Sequence, residues 1–322
     1  MTNALSPATN NAYNTGARAF LAFATLHNVP KLSQSVPKCT MEILELFVCH
    51  CVKNLHLAYN TIKLYLAGVR NMYVKAGHGN PLCNARGQTH VRLELLLRGV
   101  RKSCVAHSMI RKPVTGYILK SICLRLRKGL FGDYIDRLME AACLVAFYGF
   151  LRCGEFTCAT VVFDPQSNLT MLDVSLRDTY VSINLKASKT DPFRAGYQVL
   201  LYKNDSELCP VRAVSRYFAL RRGINSGPHE PFFLLPSMKV LTRTIFLDLF
   251  SKACQSANVT CVGLKGHSFR IGAATAAAEA QVPDYLIQTL GRWKSSSYTR
   301  YTRISPQLLC RTQLQMAQHV LQ

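Results

Sequence analysis

The sequence predicts a mainly α-helical protein of two domains, the second an α+β domain with a small antiparallel β-hairpin or sheet. Three observations support this fold class. The first hundred residues carry helical periodicity and no strong strand signal. The periodicity weakens over residues 104–115, CVAHSMIRKPVT. Residues 180–186 then alternate apolar and polar side chains, and residues 197–202 are typical of the return strand.

Four helices account for the first domain. Ser6 or Thr9 can cap the first helix, because a hydroxyl accepts the free N–H groups of the first turn. Apolar spacing predicts helices over residues 6–27, 41–53, 58–76 and 91–103. The last two helices carry basic side chains that a nucleic-acid backbone can reach, namely Lys63, Arg70, Arg98, Arg101 and Lys102. A plain solvated surface is the alternative for these residues.

Residues 105–115 form the predicted linker between the domains. Pro113 disfavours a helix before it, and Thr115 can cap the helix that follows. The chain therefore divides into a helical domain over residues 1–104 and a second domain over residues 116–322, which ends in a tail helix.

The second domain joins a long helix to a hairpin. A helix predicted over residues 133–150 runs into the segment GFLRCGEF, where Gly149 permits a tight approach and Arg152 follows. The loop between the two predicted strands holds Lys189 among turn-forming residues. Lys186 competes for the same role, but it belongs to the polar face of the first strand. We therefore expect the functional lysine of the hairpin tip to be Lys189.

The charge balance indicates a nucleic-acid partner. The chain has 39 lysines and arginines against 17 aspartates and glutamates, a formal net charge of +22. A solubilising surface or a ribosome-type basic protein is the alternative, although solubility alone requires far less charge. An apolar content of 49% argues against global disorder.

We expect an intracellular protein without a membrane span. No apolar run approaches the roughly 20 residues of a spanning helix, and the start, MTNALSPATNNAY, lacks the regions of a signal peptide. The 13 cysteines fit a reduced compartment. The tightest cluster, Cys49, His50 and Cys51 with His56 nearby, lacks the second cysteine pair of a zinc site, so we predict no metal.

A set of residues in the second half suits phosphoryl transfer. In-line attack on a phosphodiester adds negative charge to the non-bridging oxygens, which the guanidinium forks of Arg152 and Arg270 can clamp. His267 precedes Arg270 by three residues, which on a helix places both side chains on one face. A helix cap or a surface ion pair is the alternative for this pair. Tyr301 can serve as nucleophile, although ionising a tyrosine at neutral pH costs about 4 kcal/mol without help from neighbours.

Four segments resemble the tyrosine recombinases, or phage-integrase family. They are GFLRCGEF (149–156), KASKTDPFRAG (186–196), KGHSFRIGAAT (265–275) and TLGRWKSSSYTRYTR (289–303). Each segment is weak alone, but the four follow the order and spacing of the family. The segments GHSFRIGAAT and GRWKSSSYTRY are most similar in sequence to recombinases of eukaryotic mobile elements of the Crypton and DIRS type.

The resemblance implies a role for each of these residues. Arg152 and Arg270 would be the two catalytic arginines, with Glu155 as the carboxylate that supports the first of them. Lys189 would protonate the leaving 5′ oxygen, and His267 would complete the histidine-x-x-arginine pair.

The closing segment leaves one position open. By the resemblance, Tyr301 becomes joined to the 3′ phosphate, whereas Tyr298 is too close to the glycine of LGRW. The family usually places a histidine or tryptophan shortly before the nucleophile. Counting back from Tyr301 without gaps reaches Arg292, but we favour Trp293 because its indole N–H is a donor.

The resemblance also implies an assembly and a type of chemistry. It implies a C-shaped clamp around double-stranded DNA, assembled as a homotetramer, that exchanges strands without a metal, a cofactor or a small-molecule substrate. In a eukaryotic source, action on chromosomes requires entry into the nucleus. A type IB topoisomerase-like DNA-relaxing enzyme shares the catalytic set, and a domesticated DNA-binding protein without turnover is the alternative from another class.

Overall fold

The structure is a computed structural model that describes residues 5–34, 36–84, 86–103, 111–186, 196–224, 227–302, 310, 313, 314 and 316. The chain divides into two compact units, Met1–Ser108 and Met109–Gln322. Each unit has a hydrophobic core of its own. The predicted tail helix falls mostly outside the described residues.

Four helices build the described part of the first unit, as predicted. They are α1 over Pro7–Leu26, α2 over Met41–Lys53, α3 over Tyr59–Lys75 and α4 over Val91–Ser103. Ser6 caps α1, because its hydroxyl accepts the N–H of Thr9 at 3.2 Å. Apolar side chains at helical spacing fill the core, among them Phe47, Ile62 and Val69.

Two glycines let α1 and α3 lie very close to each other. A β-carbon at Gly16 would stand 2.5 Å from the Cα of Tyr65, and one at Gly68 would overlap the carbonyl of Tyr13. Only glycine fits at these two positions. The apolar periodicity could not predict this contact, because glycine adds nothing to an apolar stripe.

Seven helices surround the core in the described part of the second unit. They are α5 over Gly116–Arg127, α6 over Asp133–Tyr148, α7 over Cys153–Phe156, α8 over Pro210–Arg221, α9 over Arg243–Ser256, α10 over Ser268–Glu279 and α11 over Asp284–Leu290. Helix α6 lies at the centre, since every residue from 138 to 147 is buried. Helices α5, α8, α9 and α10 all contact it.

A small antiparallel sheet completes the second unit. Its strands, in the order β1-β2-β3, are β1 over Val174–Leu176, β2 over Tyr180–Leu185 and β3 over Tyr197–Tyr202. Val181 pairs with Leu201 and Ile183 with Val199, and all four side chains are buried. The two longer strands agree with the prediction, whereas β1 is too short to show an alternating pattern. The fold class, mainly α with a small antiparallel sheet, is confirmed.

The end of the predicted linker is fixed to the second unit. The N–H of Lys112 donates to the carbonyl of Gly263 at 3.1 Å, and the N–H of Val114 donates to that of Ser268 at 2.9 Å. Val114 is fully buried in the second core. Thr115 caps α5 as predicted, since its hydroxyl accepts an N–H of the first turn. These residues are therefore part of the second unit rather than a free connection.

In the described part of the chain, no helix is both long and apolar enough to cross a membrane. That part also contains no group of three or more His, Cys, Asp or Glu side chains that could hold a metal ion. Cys49 and Cys51 lie on different sides of α2, because Cys51 is buried in the core of the first unit while Cys49 is exposed.

Candidate active site

A sharp turn after α6 forms one side of the candidate site. Phe150 has φ of +49°, in the left-handed region that L-residues rarely adopt. A β-carbon at Gly149 would stand 2.7 Å from the carbonyl oxygen of Val145, so the turn requires glycine there. The turn exposes the carbonyl of Phe150 to other side chains and places Arg152 at the start of α7.

Arg152 is held by the carboxylate that was predicted to support it. Its Nη1 donates to Oε1 of Glu155 at 2.7 Å, and its backbone N–H donates to Oε2 at 2.9 Å. Glu155 keeps 5% of its side-chain surface exposed and Arg152 keeps 15%, so this ion pair is largely withdrawn from water. Nε and Nη2 of Arg152 donate no hydrogen bond within the described residues. They remain available to an anion.

Helix α10 carries the other predicted arginine. The helix begins at Ser268, so His267 is the N-cap residue, yet its ring makes no capping bond. Arg270 is fully buried and donates from Nη1 to the carbonyl of Phe150 at 2.8 Å, and from Nη2 to that of Gly291. Neither a helix cap nor a surface ion pair describes these two side chains.

The surroundings of His267 favour its neutral form. Burial lowers the pKa of the imidazole below its usual 6.5, and the positive charges of Arg111, Arg243, Arg152 and Arg270 lower it further. A neutral imidazole can accept a proton from a hydroxyl at neutral pH. His267 is therefore suited to act as a base.

Trp293 packs against both the buried arginine and the predicted nucleophile. The Cζ of Arg270 is 4.4 Å from the centroid of the indole, whose own centroid is 5.2 Å from that of Tyr301. The indole packs against Gly291, where any β-carbon would overlap the ring. Its Nε1 is buried and has no hydrogen-bond partner among the described residues.

Arg292 contacts different groups from its neighbour Trp293. Its Nη1 donates to the carbonyl of Gly149 at 2.9 Å, and its Nη2 donates to Oε2 of Glu155 at 3.0 Å. Its φ of +55° places this residue in a left-handed turn, which separates the two side chains. Burial lowers the pKa of the guanidinium while Glu155 opposes that effect, and an arginine stays charged in either case.

Tyr301 follows a 3₁₀ turn, Ser296–Arg300, and packs against the site. The Cζ of Arg270 is 5.8 Å from the centroid of the Tyr301 ring. The backbone carbonyl of Tyr301 accepts the hydroxyl of Thr275 at 3.3 Å. The hydroxyl of Tyr298, the rival nucleophile, instead donates to Oδ2 of Asp284 at 2.8 Å.

The structure describes one of the two hairpin lysines. The Nζ of Lys186 lies 2.6 Å from Oδ2 of Asp173, 3.1 Å from Oγ1 of Thr170 and 2.7 Å from the carbonyl of Pro165. This ammonium therefore fastens β2 to the segment before β1. Lys189 lies outside the described residues, and its role stays a prediction.

The site holds more positive charge and more donors than the surrounding protein satisfies. Arg152 and Arg292 share the carboxylate of Glu155. Nε of Arg270, Nε of Arg292 and Nε1 of Trp293 are buried without a partner in the described part of the chain. Each buried donor without an acceptor costs about 1–3 kcal/mol. An anion bound here would accept these donors and balance the charge.

Arg243 is a further cation beside the site that no motif predicted. It opens α9, and its N–H donates to the carbonyl of Cys158 just after α7, at 2.9 Å. A β-carbon at Gly266 would stand 2.9 Å from the Cβ of Cys153 and 3.3 Å from both Nε and Nη2 of Arg243. The missing side chain therefore lets this exposed guanidinium lie next to His267.

The basic residues predicted to contact DNA lie on the first unit. All five are exposed, namely Lys63, Arg70, Arg98, Arg101 and Lys102. Lys63 and Arg101 both lie over the ring of Tyr59, each 5.9 Å from its centroid. Arg98 lies 3.9 Å from Glu94, one turn earlier on α4. Contact with DNA stays a prediction for all of them.

Solved structures of DNA recombinases share this architecture. XerH site-specific recombinase, in a post-cleavage complex with palindromic difH substrate, matches with a TM-score of 0.65 and 14% identity over 94% of this chain and 78% of that chain. The chain has the tyrosine-recombinase fold. The Tn1549 transposon integrase in complex with transposon right end DNA matches with a TM-score of 0.59 and 13% identity, over 98% of this chain and 95% of that chain.

A third solved structure agrees with these two. The lambda integrase dimer bound to a core site matches with a TM-score of 0.55 and 14% identity, over 93% of this chain and 72% of that chain. No protein-family model matches the sequence, and a search of curated proteins gives no match. At these identities the likeness concerns the fold, and the roles of the site residues depend on their own geometry.

Proposed function

We propose that this protein is a site-specific DNA recombinase that cleaves and rejoins strands through a covalent tyrosine intermediate. The observation that carries the proposal is the unsatisfied positive site around Arg270: Arg152 and Arg292 share one carboxylate, Arg270 donates only to carbonyl oxygens among the described residues, and three buried donors there lack acceptors. A phosphodiester supplies the anionic oxygens that such a site lacks. DNA as the partner is supported by the structural neighbours, which are described in complex with DNA.

Five of the predicted residues have a step in the proposed reaction. His267 accepts the hydroxyl proton of Tyr301, whose oxygen attacks the phosphorus. The bond between phosphorus and the 5′ oxygen breaks, and Lys189 gives that oxygen a proton. Arg152 and Arg270 hold the non-bridging oxygens while negative charge accumulates on them.

The products of cleavage are a 3′-phosphotyrosine and a free 5′ hydroxyl. Attack on the phosphotyrosine by the 5′ hydroxyl of another strand restores a phosphodiester and releases Tyr301 with its proton. One ester replaces another in each step, so the reaction needs no external source of energy.

The biological setting belongs to the same proposal. DNA integration is supported by the net charge of +22 and by the likeness to a transposon integrase, and the resemblance to the tyrosine recombinases implies a homotetramer. The segments GHSFRIGAAT and GRWKSSSYTRY support an origin in a Crypton- or DIRS-type mobile element. Such an element would act on chromosomes, which would place the protein in the nucleus.

A trapping assay tests this function. The protein is mixed with nicked duplexes that carry candidate sites, without divalent metal, and the products are separated on a denaturing gel. We expect a covalent protein–DNA band that Tyr301→Phe abolishes, because this change removes only the attacking oxygen. Tyr298→Phe is the matched control and should retain the band, since that hydroxyl is bonded to Asp284.

Other outcomes would change the proposal. A band that persists in Tyr301→Phe and disappears in Tyr298→Phe would move the nucleophile. Tight binding without a band on any tested DNA would favour a DNA-binding protein without turnover. Relaxation of supercoiled plasmid without strand exchange would favour a topoisomerase.

A further inference from the structure

We propose that Arg292 is a positioning residue for the Arg152–Glu155 pair and for Tyr197 at the start of β3. The inference rests on the proposed function. It concerns the histidine-or-tryptophan position before Tyr301, for which the resemblance leaves Arg292 and Trp293 as candidates.

The guanidinium of Arg292 is already occupied by protein acceptors. Nη1 donates to Gly149 at 2.9 Å and more weakly to Leu290 at 3.5 Å, both through carbonyl oxygens. Nη2 donates to the carbonyl of Phe150 at 3.3 Å and to Oε2 of Glu155 at 3.0 Å. These contacts use the four Nη hydrogens, and the side chain is 6% exposed. In the described part of the chain only its buried Nε lacks a partner, so Arg292 has at most one donor left for a bound phosphate.

Glu155 links Arg292 to Arg152, because its carboxylate is hydrogen-bonded to both side chains. The carboxylate receives Arg152 on Oε1 and Arg292 on Oε2, so the two guanidinium groups hold it from opposite oxygens. Because Glu155 is 5% exposed, water cannot readily replace either partner. Loss of the Arg292 guanidinium would leave Oε2 with one partner, the backbone N–H of Arg152 at 2.9 Å. The carboxylate would then be held less firmly, and the free donors of Arg152 would shift with it.

Arg292 also connects the turn after α6 to the hairpin. The carbonyl of Phe150 accepts both Nη1 of Arg270 at 2.8 Å and Nη2 of Arg292 at 3.3 Å. On its other side, the Cζ of Arg292 lies 5.5 Å from the ring centroid of Tyr197, the first residue of β3. Lys189 belongs to the loop that Tyr197 closes. One side chain thus joins three parts of the site.

In contrast to the Nη groups of Arg292, the buried indole N–H of Trp293 has no hydrogen-bond partner in the described part of the chain. The indole ring lies 4.4 Å from the Cζ of Arg270 and 5.2 Å from the ring of Tyr301. A donor without a partner, on a ring that packs against both a buried cation and the predicted nucleophile, is suited to bind a phosphate oxygen.

Arg292→Lys is the central variant. It keeps the charge but loses the planar fork, and one ammonium cannot reach acceptors on several elements. We expect the rate of covalent complex formation to fall on the order of 100-fold, as for a displaced catalytic group, with DNA affinity nearly unchanged. Arg221→Lys is the matched control, because Arg221 is also fully buried and donates to the carbonyls of Phe232 and Pro231. It should lower thermal stability and leave cleavage intact.

A double variant separates positioning from direct contact with the phosphate. Combining Arg292→Lys with Glu155→Gln should add no further loss, because both act through the same carboxylate. A substrate with a neutral methylphosphonate at the cleaved position should reduce the defects of Arg152→Ala and Arg292→Lys in parallel, since Arg292 acts through the residue that balances phosphate charge. Multiplied losses in the double variant, or relief of Arg152→Ala without relief of Arg292→Lys, would overturn the inference.

A second pair of variants carries the test if Arg292→Lys does not fold. Tyr197→Leu removes the ring beside Arg292 and should slow cleavage, whereas Tyr202→Leu, at the other end of β3, should not. Equal rates in these two variants would contradict the inference. If the wild type forms no Tyr301-dependent complex, the proposed function fails and this inference fails with it. If the wild type reacts and the Arg292 and Tyr197 variants react equally well, only the inference fails.

Discussion

Gly291 determines where the single tryptophan of the chain can lie. Any β-carbon at this position would overlap the indole of Trp293, so Gly291→Ala must displace the ring from Arg270. We expect a loss of about 1–3 kcal/mol in the free energy of unfolding, as for other overpacked sites. Because the chain has 1 tryptophan, its fluorescence reports on this site directly, and the emission should shift to longer wavelength as the indole gains contact with water.

Gly154→Ala is the control for Gly291→Ala. Gly154 lies on α7 in the same site, and a β-carbon there meets nothing within 4 Å. Alanine is also the better helix former, so stability and emission should be retained or slightly improved. An unchanged emission spectrum in Gly291→Ala would show that the indole does not pack against this glycine.

At the scale of single residues, the sequence predicted which charged and aromatic side chains would lie together better than it predicted their hydrogen-bond partners. Charged and aromatic residues at motif spacings led to Arg152, His267, Arg270 and Tyr301, which the structure brings to one site. The contact of Arg292 with Glu155 spans more than a hundred residues, so no local pattern indicates it. The same holds for the carbonyl acceptors and close-packed glycines, since neither contributes to a charge or hydrophobicity pattern.

At the scale of the hairpin, substitution of Lys186 should affect stability, whereas substitution of Lys189 should affect catalysis. Lys186→Met removes the cation from Asp173, which is 4% exposed, and breaking such a buried pair costs on the order of 3 kcal/mol. Lys189→Met should leave stability unchanged and slow cleavage. Urea denaturation and the trapping assay measure the two effects.

A modified substrate identifies the step at which Lys189 acts. A sulfur atom at the bridging 5′ position leaves without a proton, because a thiol is far more acidic than an alcohol. This substrate should therefore restore cleavage to Lys189→Met. A stable Lys186→Met protein that fails to cleave would instead assign the acid to Lys186.

The long periodic elements of the first unit and the two longer strands were predicted, whereas the shortest elements were not. Helices α1 to α4 and strands β2 and β3 agree with their predictions because apolar side chains recur over several turns or alternations. Strand β1 has 3 residues and helix α7 has 4, so packing against neighbours decides their structure rather than local pattern. Helix α6 was predicted too long by two residues, since the left-handed Phe150 ends it at Tyr148.

For the whole molecule, the net charge of +22 should make DNA binding strongly dependent on salt. Each phosphate contact adds about −0.9 to the slope of log K against log salt concentration, because bound counterions are released. Arg243 is exposed, lies next to Gly266 and adds positive charge around His267, so it is placed to bind a phosphate near the cleaved one. Arg243→Gln should therefore reduce the magnitude of the slope by about one. Arg177→Gln, which removes the same charge from the turn after β1, should leave the slope nearly unchanged. Equal slopes in these two variants would mean that Arg243 contributes only to the general field of the protein and contacts no phosphate.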